Sequence, residues 1–331
     1  MQNSSKLQLF TICLLILMTG CSSELEEPID TEGIMVMANA TYPVVLHKDI
    51  AYGFGLTQKS MSSKERIEKP LLLDIYTPEN KETKRPLFIF IHGGGFKGGS
   101  KDAITIKNLA DYFTSRGWVF VSPSYRLQND FGTVPQEWKD TALQINQDTV
   151  SQFNAMYTAV RDTKAACRWV MSNANSYGID TNNISIGGSS AGAITAIAVA
   201  ISEQEDFRDE LSIAQDPTLK KTHLDQSIHF GSIIDLWGSS IALGAHEMVY
   251  QTERFDVQDP PLFIFHGTKD LTVPFIGAQS LKKRYTELNI PYAFYPIEGG
   301  GHGVWNTTYE GKTLEELAFQ FIVEQHNLKV K

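Results

Sequence analysis

Among these 331 residues the pattern with most chemical potential is a serine set between glycines: Ile184-Ser185-Ile186-Gly187-Gly188-Ser189-Ser190-Ala191-Gly192, followed by alanine-rich sequence to Ala200. It reads as an apolar strand, a small-residue corner and the start of a helix, a geometry that lifts a hydroxyl out of the backbone at the end of a sheet. Glycine two residues before and two after Ser190 lets neighbouring backbone approach the turn closely. A second register, Gly187-x-Ser189-x-Ala191, would put the apex at Ser189. Ser190 has glycine on both sides and Ser189 on one, so Ser190 is the expected nucleophile, and its chemistry would be attack on a carbonyl carbon.

Such an attack builds negative charge on the carbonyl oxygen, which backbone N–H groups must meet without an intervening side chain. The run His92-Gly93-Gly94-Gly95-Phe96, directly after an apolar strand ending at Ile91, supplies them. The expected donors are Gly94, Gly95 and Ala191, the last being the residue after the serine. His92 reads as a brace for this loop. The same stretch, Gly94 to Lys101, could suggest a phosphate cradle, but that loop requires Gly-Lys followed by Ser or Thr, and here Ser100 precedes Lys101.

The serine also needs a base. Of the eight histidines, His302 lies in a glycine-rich loop, Glu298-Gly-Gly-Gly-His302-Gly303, just after the strand-like run Tyr292 to Tyr295. His326 reads as lying on an exposed helix end, and His223, His229 and His246 precede the acid's expected position. The acid that orients the imidazole is expected at Asp270, in the turn Thr268-Lys269-Asp270-Leu271 after the run Leu262 to Phe265. Asp235, Asp256 and Asp259 remain alternatives, the first following an earlier strand and the others preceding this one.

Positioning these groups requires strands whose ends share one edge. Apolar runs recur at 44–52, 71–76, 87–91, 118–121, 184–186, 231–234, 262–265 and 292–295. Helical patterns fill the gaps near 102–116, 154–175, 191–203, 276–288 and 312–326. Buried strands alternating with helices predict an α/β fold with a mostly parallel sheet of about eight strands covered on both faces. Two stretches stand outside the alternation, Gln128 to Ser151 and about Glu203 to Gln226. The first carries Phe131, Pro135 and Trp138 and is a candidate for substrate contact.

Net charge is −9, from 29 Lys+Arg against 38 Asp+Glu, with no basic cluster, which argues against a nucleic-acid partner. Residues 1–20 hold one lysine, a short apolar run and small residues, the form of an export signal. Met18-Thr-Gly-Cys21 resembles the bacterial lipobox, which implies lipidation of Cys21, export, and an outer-membrane or cell-surface location, periplasmic if not surface-exposed. The membrane would be met only through that anchor. Residues 21–43 read as a tether, and 44–331 as the catalytic domain. Cys13 falls in the signal and Cys167 on an apolar helical stripe, so a fold without disulfides is expected.

Glycine loop, serine corner, acid and histidine, spanning Ile91 to His302 in that order, resemble an α/β-hydrolase of the carboxylesterase type. The hormone-sensitive-lipase-like and bacterial carbohydrate-esterase groups are the most similar, although the former usually has an acidic residue where Ser189 stands. The resemblance implies ester hydrolysis through an acyl-enzyme on Ser190, Asp270 and His302, with no metal or organic cofactor. It points to short-chain or glycan-linked esters, acetyl or feruloyl, with Phe96, Tyr125, Trp138, Trp237 and Trp305 as candidate stacking surfaces. A peptidase of prolyl-oligopeptidase type and a non-catalytic binding protein are the alternative readings.

Overall fold

The computed structural model describes residues 33–331. Their elements in chain order are β1 (Met35–Val36), β2 (Val44–Thr57), β3 (Ile67–Pro78), β4 (Arg85–Ile91), α1 (Ile104–Thr114), β5 (Val119–Pro123), α2 (Gln136–Ile145), α3 (Val150–Ser172), β6 (Ile179–Ser189) and α4 (Ala191–Ile201). There follow β7 (Ser232–Leu236), α5 (Ile241–Tyr250), β8 (Leu262–Gly267), α6 (Ile276–Leu288), β9 (Tyr292–Ile297), β10 (Thr308–Tyr309), β11 (Lys312–Thr313), α7 (Leu314–Gln325) and β12 (Lys329–Val330).

Eight of these strands form one sheet in the order β2-β3-β5-β4-β6-β7-β8-β9. β2 and β3 pair antiparallel, as do β3 and β5, and every later pairing is parallel. The period-2 alternation of side chains divides the core between the two faces. In β4, Leu87, Ile89 and Ile91 enter a core shared with α3, α4, α5 and α6, whereas Phe88 and Phe90 enter one shared with α1 and α7. The parallel β4, β6, β8 and β9 end at the same edge, so the loops after Ile91, Ser189, Gly267 and Ile297 meet there. No helix among the described residues is long and apolar enough to cross a membrane.

Three readings of the sequence need correction. The ordered body begins before Val44: Met35 and Val36 pair in parallel with Lys329 and Val330, and Val36 is fully buried. The residues of the expected tether from 33 onward therefore belong to the fold, because Ile34, Met35 and Val36 form a short apolar run within otherwise polar sequence. The export signal, the remainder of the tether and Cys21 lie outside the described residues. Next, Gln128 to Ser151 contains helix α2, and its Trp138 is fully buried against Phe153, Tyr157 and Phe207 with the indole N–H donating to the Phe153 carbonyl at 3.1 Å. Finally, α5 follows β7 where no helix was expected.

A buried ion pair fastens the loop after β5. The Arg126 guanidinium donates to both Asp162 oxygens, with Nη2 to Oδ1 at 2.6 Å, and its Nη1 reaches the Leu56 carbonyl at 2.9 Å. The carboxylate also accepts the Arg126 amide at 2.9 Å, so one group on α3 fixes both ends of that residue.

Candidate active site

The serine corner is built by close backbone contact. β6 ends at Ser189 and α4 starts at Ala191, leaving Ser190 between them at φ 55° and ψ −123°. A non-glycine residue there is strained, and surrounding bonds hold it: the Ser190 amide donates to the Leu236 carbonyl at 2.9 Å and its carbonyl accepts from Ile194 at 3.0 Å. Any side chain at Gly192 would run into the Ile91 carbonyl, which is why the position after the corner is glycine. Ser189 lacks this geometry, being the buried last residue of the strand. The apex is Ser190.

Opposite it stands His302, with Nε2 2.9 Å from the Ser190 hydroxyl and Nδ1 2.7 Å from Asp270 Oδ2. The hydroxyl donates to Nε2 and the Nδ1 proton to the carboxylate, which fixes the tautomer. Asp270 is buried in the turn after β8, and its other oxygen accepts the amides of Thr272 at 2.8 Å and Val273 at 3.0 Å. His266, fully buried on β8, brings Nε2 to 2.9 Å from the Val273 carbonyl and 3.3 Å from Asp270 Oδ2. This second imidazole had no marker in the sequence beyond its spacing of four from the acid.

The alternative groups stand elsewhere. Asp235 lies inside β7 and accepts the Gly238 amide at 2.7 Å, and burial raises its carboxyl to about 7. Asp256 and Asp259 line a separate cavity with Pro260. His246 on α5 bonds Glu210 at 2.8 Å, a contact that ties this helix to the loop following α4.

A second serine–histidine contact joins Ser185, Ser232 and His326, with His326 Nε2 at 3.1 Å and 3.0 Å from the two hydroxyls. His326 is the C-cap of α7 and is partly buried, contrary to the expected exposed helix end. Burial lowers its imidazole to about 4. Ser185 is a fully buried mid-strand residue, and among the described residues no carboxylate pairs with His326. The trio satisfies polar groups under the sheet.

The glycine loop lies against the corner: a side-chain carbon added at Gly93 would stand 3.3 Å from Ser190 Cβ. Gly94 adopts φ 122°, open to glycine alone, and its carbonyl accepts the Lys97 and Gly98 amides to close the turn. Among the described residues nothing accepts a hydrogen bond from the amides of Gly94, Gly95 or Ala191, and Gly95 and Ala191 line the same cavity as Ser190. Gln152 on α3 donates to the Gly95 carbonyl at 2.9 Å and so orients that peptide. His92 braces the loop as expected: it is buried, contacts the Gly93 carbonyl at 2.8 Å, stacks on Tyr125 at 4.3 Å, and burial lowers it to about 4.

A cavity of about 700 Å³ opens from Ser190. Of the aromatics named as stacking surfaces only Phe96 lines it. Tyr125, Trp138 and Trp237 are buried in packing, and Trp305 packs on Trp237 at 4.9 Å. Phe131 lines a different, smaller cavity with Met61 and Leu143.

Residues 53–216 match the model of the carboxylesterase family, a stretch that carries both the glycine loop and Ser190. Esterase LipC of Mycobacterium tuberculosis is 23% identical over 70% of this chain and 56% of its own length. Juvenile hormone esterase of Heliothis virescens is 28% identical over 54% of this chain and 29% of its own. The chain thus spans about half, or less, of the length of these relatives. Among solved structures, a truncated carbohydrate esterase from gut microbiota superposes with TM-score 0.60 at 20% identity, covering 88% of this chain and 99% of that one. Esterase 2 of Thermogutta terrifontis, with propionate bound, gives 0.57 at 23% identity, covering 82% and 94%. These likenesses show the same eight-stranded, mostly parallel fold. The sequence match begins in β2 and runs through the glycine loop and the corner, and over that stretch the chain is similar to the carboxylesterase family of α/β-hydrolases.

Proposed function

We propose that this protein hydrolyses carboxylic esters through an acyl-enzyme on Ser190, with His302 as base and acid, Asp270 as the group that orients it, and the amides of Gly94, Gly95 and Ala191 as the oxyanion hole. The observation that carries the reading is the continuous relay from the Ser190 hydroxyl through His302 to Asp270, at 2.9 Å and 2.7 Å. The Ser190 oxygen bonds the carbonyl carbon while its proton passes to Nε2. Collapse of the tetrahedral adduct breaks the bond to the alcohol oxygen, which takes that proton and departs. Water then gives a proton to Nε2, its oxygen attacks the acyl carbon, and the acid leaves as the serine hydroxyl is restored.

The esters we propose are short-chain or carbohydrate-linked, with acetyl or feruloyl acyl groups. Support comes from the relatives: a Thermogutta esterase solved with propionate bound and a carbohydrate esterase from gut microbiota share this fold. We propose, from Met18-Thr-Gly-Cys21, that the protein is exported and held to a membrane by a lipid on Cys21. Replacing Ser190 by Ala should lower hydrolysis of p-nitrophenyl butyrate by about 10⁴-fold or more and abolish labelling by a fluorophosphonate. Retained turnover and labelling would overturn the assignment.

A further inference from the structure

The cavity at Ser190 has a sidedness that bears on which part of an ester enters it. A tetrahedral adduct on Ser190 has three other substituents. Its oxyanion must face the amides of Gly94, Gly95 and Ala191, and its leaving oxygen must lie at His302 Nε2 to receive the proton. The acyl chain takes the direction that remains. The cavity wall contains Ser190, Gly95 and Ala191, while His302 is not among the described residues that line it. His302 instead sits between the exposed Gly301 and Gly303, so the alcohol departs toward solvent.

The wall is mostly apolar, with Thr149, Gln152, Ser239, Ser240 and Thr272 as its polar side chains besides Ser190. Phe153 and Met156 come from α3, Ile194 from α4, Met248 from α5, and Phe96 and Val273 from the loops after β4 and β8. No Asp, Glu, Lys or Arg is among the described residues that line it. Sugar hydroxyls placed against the Phe96, Phe153, Met156, Ile194, Met248 and Val273 part of this surface would lose their water without finding partners there. An acetyl methyl would leave nearly all of the ~700 Å³ unfilled, a volume in the range of sites that enclose drug-sized ligands.

Resting on the ester-hydrolase reading above, we infer that this cavity is the acyl chamber and that it selects an apolar acyl group much larger than acetyl, whereas the alcohol side is open to polar and bulky groups. Of the acyl groups named above, the chamber favours the feruloyl type over acetyl. Gly244, on α5, sets its free volume. A side-chain carbon built at Gly244 meets nothing within 4 Å, so the chamber floor at this point is open space in the middle of a helix. A larger residue there starts from open space at its Cβ and takes up chamber volume, and leucine also favours the helix over glycine.

The test uses the full chain and compares kcat/KM for p-nitrophenyl acetate, p-nitrophenyl octanoate and methyl ferulate in the wild type, Gly244→Leu and Ser190→Ala. We expect the wild type to prefer octanoate over acetate by about tenfold or more, since each buried methylene contributes ~0.8 kcal/mol. Gly244→Leu should cut the octanoate-to-acetate ratio by at least about tenfold, with Met248→Trp as a second blocking change on the same helix. Methyl ferulate, the aryl arm, should be turned over by the wild type and lost in step with octanoate on blocking if the natural acyl group is aromatic. Retention of ferulate turnover with octanoate lost would assign the chamber to alkyl chains alone. Acetate preferred over both larger acyl groups, or a blocked chamber that lowers all esters equally, would overturn the inference. A wild type no better than Ser190→Ala on every ester would overturn the hydrolase reading itself.

Discussion

His266 Nε2 lies 3.3 Å from the Asp270 carboxylate oxygen that His302 also contacts, and 2.9 Å from the Val273 carbonyl. One buried imidazole thus ties the acid to the far end of its own turn. Because a carbonyl only accepts, Nε2 carries the proton, and burial lowers the ring's basicity so that it stays neutral. Replacing His266 by Ala should free the 270–273 turn and lower kcat about 10- to 100-fold with KM little changed, because orientation of the base is lost while the chamber persists. His266→Gln, which keeps a donor at similar reach, should recover part of kcat. An unchanged kcat in His266→Ala would show that the amides of Thr272 and Val273 hold Asp270 unaided.

Gln152 presents a similar relationship on the other side of the serine. Its amide donates to the Gly95 carbonyl at 2.9 Å, so the orientation of that peptide, and of the N–H groups beside it, depends on a side chain from α3. Deleting an oxyanion donor outright costs about 10²- to 10³-fold, and loosening one should cost less. Gln152→Ala is expected to lower kcat about tenfold on p-nitrophenyl butyrate. The rate of fluorophosphonate labelling, which passes through the same charge development, should fall in parallel.

These two supports were invisible in the sequence for a common reason. Ser190, Asp270, His302 and the glycine loop each follow a strand with turn chemistry that marks the position, so their convergence follows from parallel strands ending at one edge. His266 and Gln152 act through space from a strand and a helix, where their types carry no local signature. The chamber was hidden likewise. Ile145, Ile241 and Met248 line it from α2 and α5 and are half-exposed or more, so they pack no neighbour closely enough to leave a clear period. Gly244 and His246 interrupt the apolar pattern of α5, which is why no helix is expected there. Trp138 reads as a candidate for substrate contact because it lies in a stretch outside the strand–helix alternation, and its indole instead fills the core. Around Met35 a two-residue strand was too short to separate from a tether.

Stability should concentrate in the Arg126–Asp162 pair. Both side chains are about 2% exposed, and the pair links α3 to the loop after β5 and to β2. Removing one partner leaves a buried charge without compensation, at a cost of about 3–5 kcal/mol. Asp162→Ala should therefore lower the urea midpoint strongly. Replacing both residues, as Arg126→Met with Asp162→Leu, should be less damaging than the single change, because no charge is then stranded. A double variant as unstable as Asp162→Ala would assign the loss to the bond with the Leu56 carbonyl and to packing.

Acid sensitivity offers the last test, through His326. Burial lowers its imidazole to about 4, below the ~6.5 of an unfolded histidine, so the unfolded chain binds a proton first as pH falls. The contribution of neutral His326 is fully present above about 6.5 and is lost as pH drops toward 4, with a limiting slope of ~1.4 kcal/mol per pH unit. His92, lowered by burial to about 4 as well, adds a term of the same sign. The carboxyls of Asp235 and Asp259 act oppositely: burial raises each to about 7, so their contribution is present at low pH and is lost as pH rises through 7. The opposing terms partly cancel in the wild type, and the comparison that isolates the histidine is between wild type and His326→Gln. The variant keeps a polar partner for Ser185 and Ser232 and has no proton to gain. Measured by urea unfolding at pH 7.5 and pH 5, the wild type should exceed the variant by more at the higher pH. A difference that stays constant between the two would mean that His326 takes up its proton equally in the folded and unfolded chains.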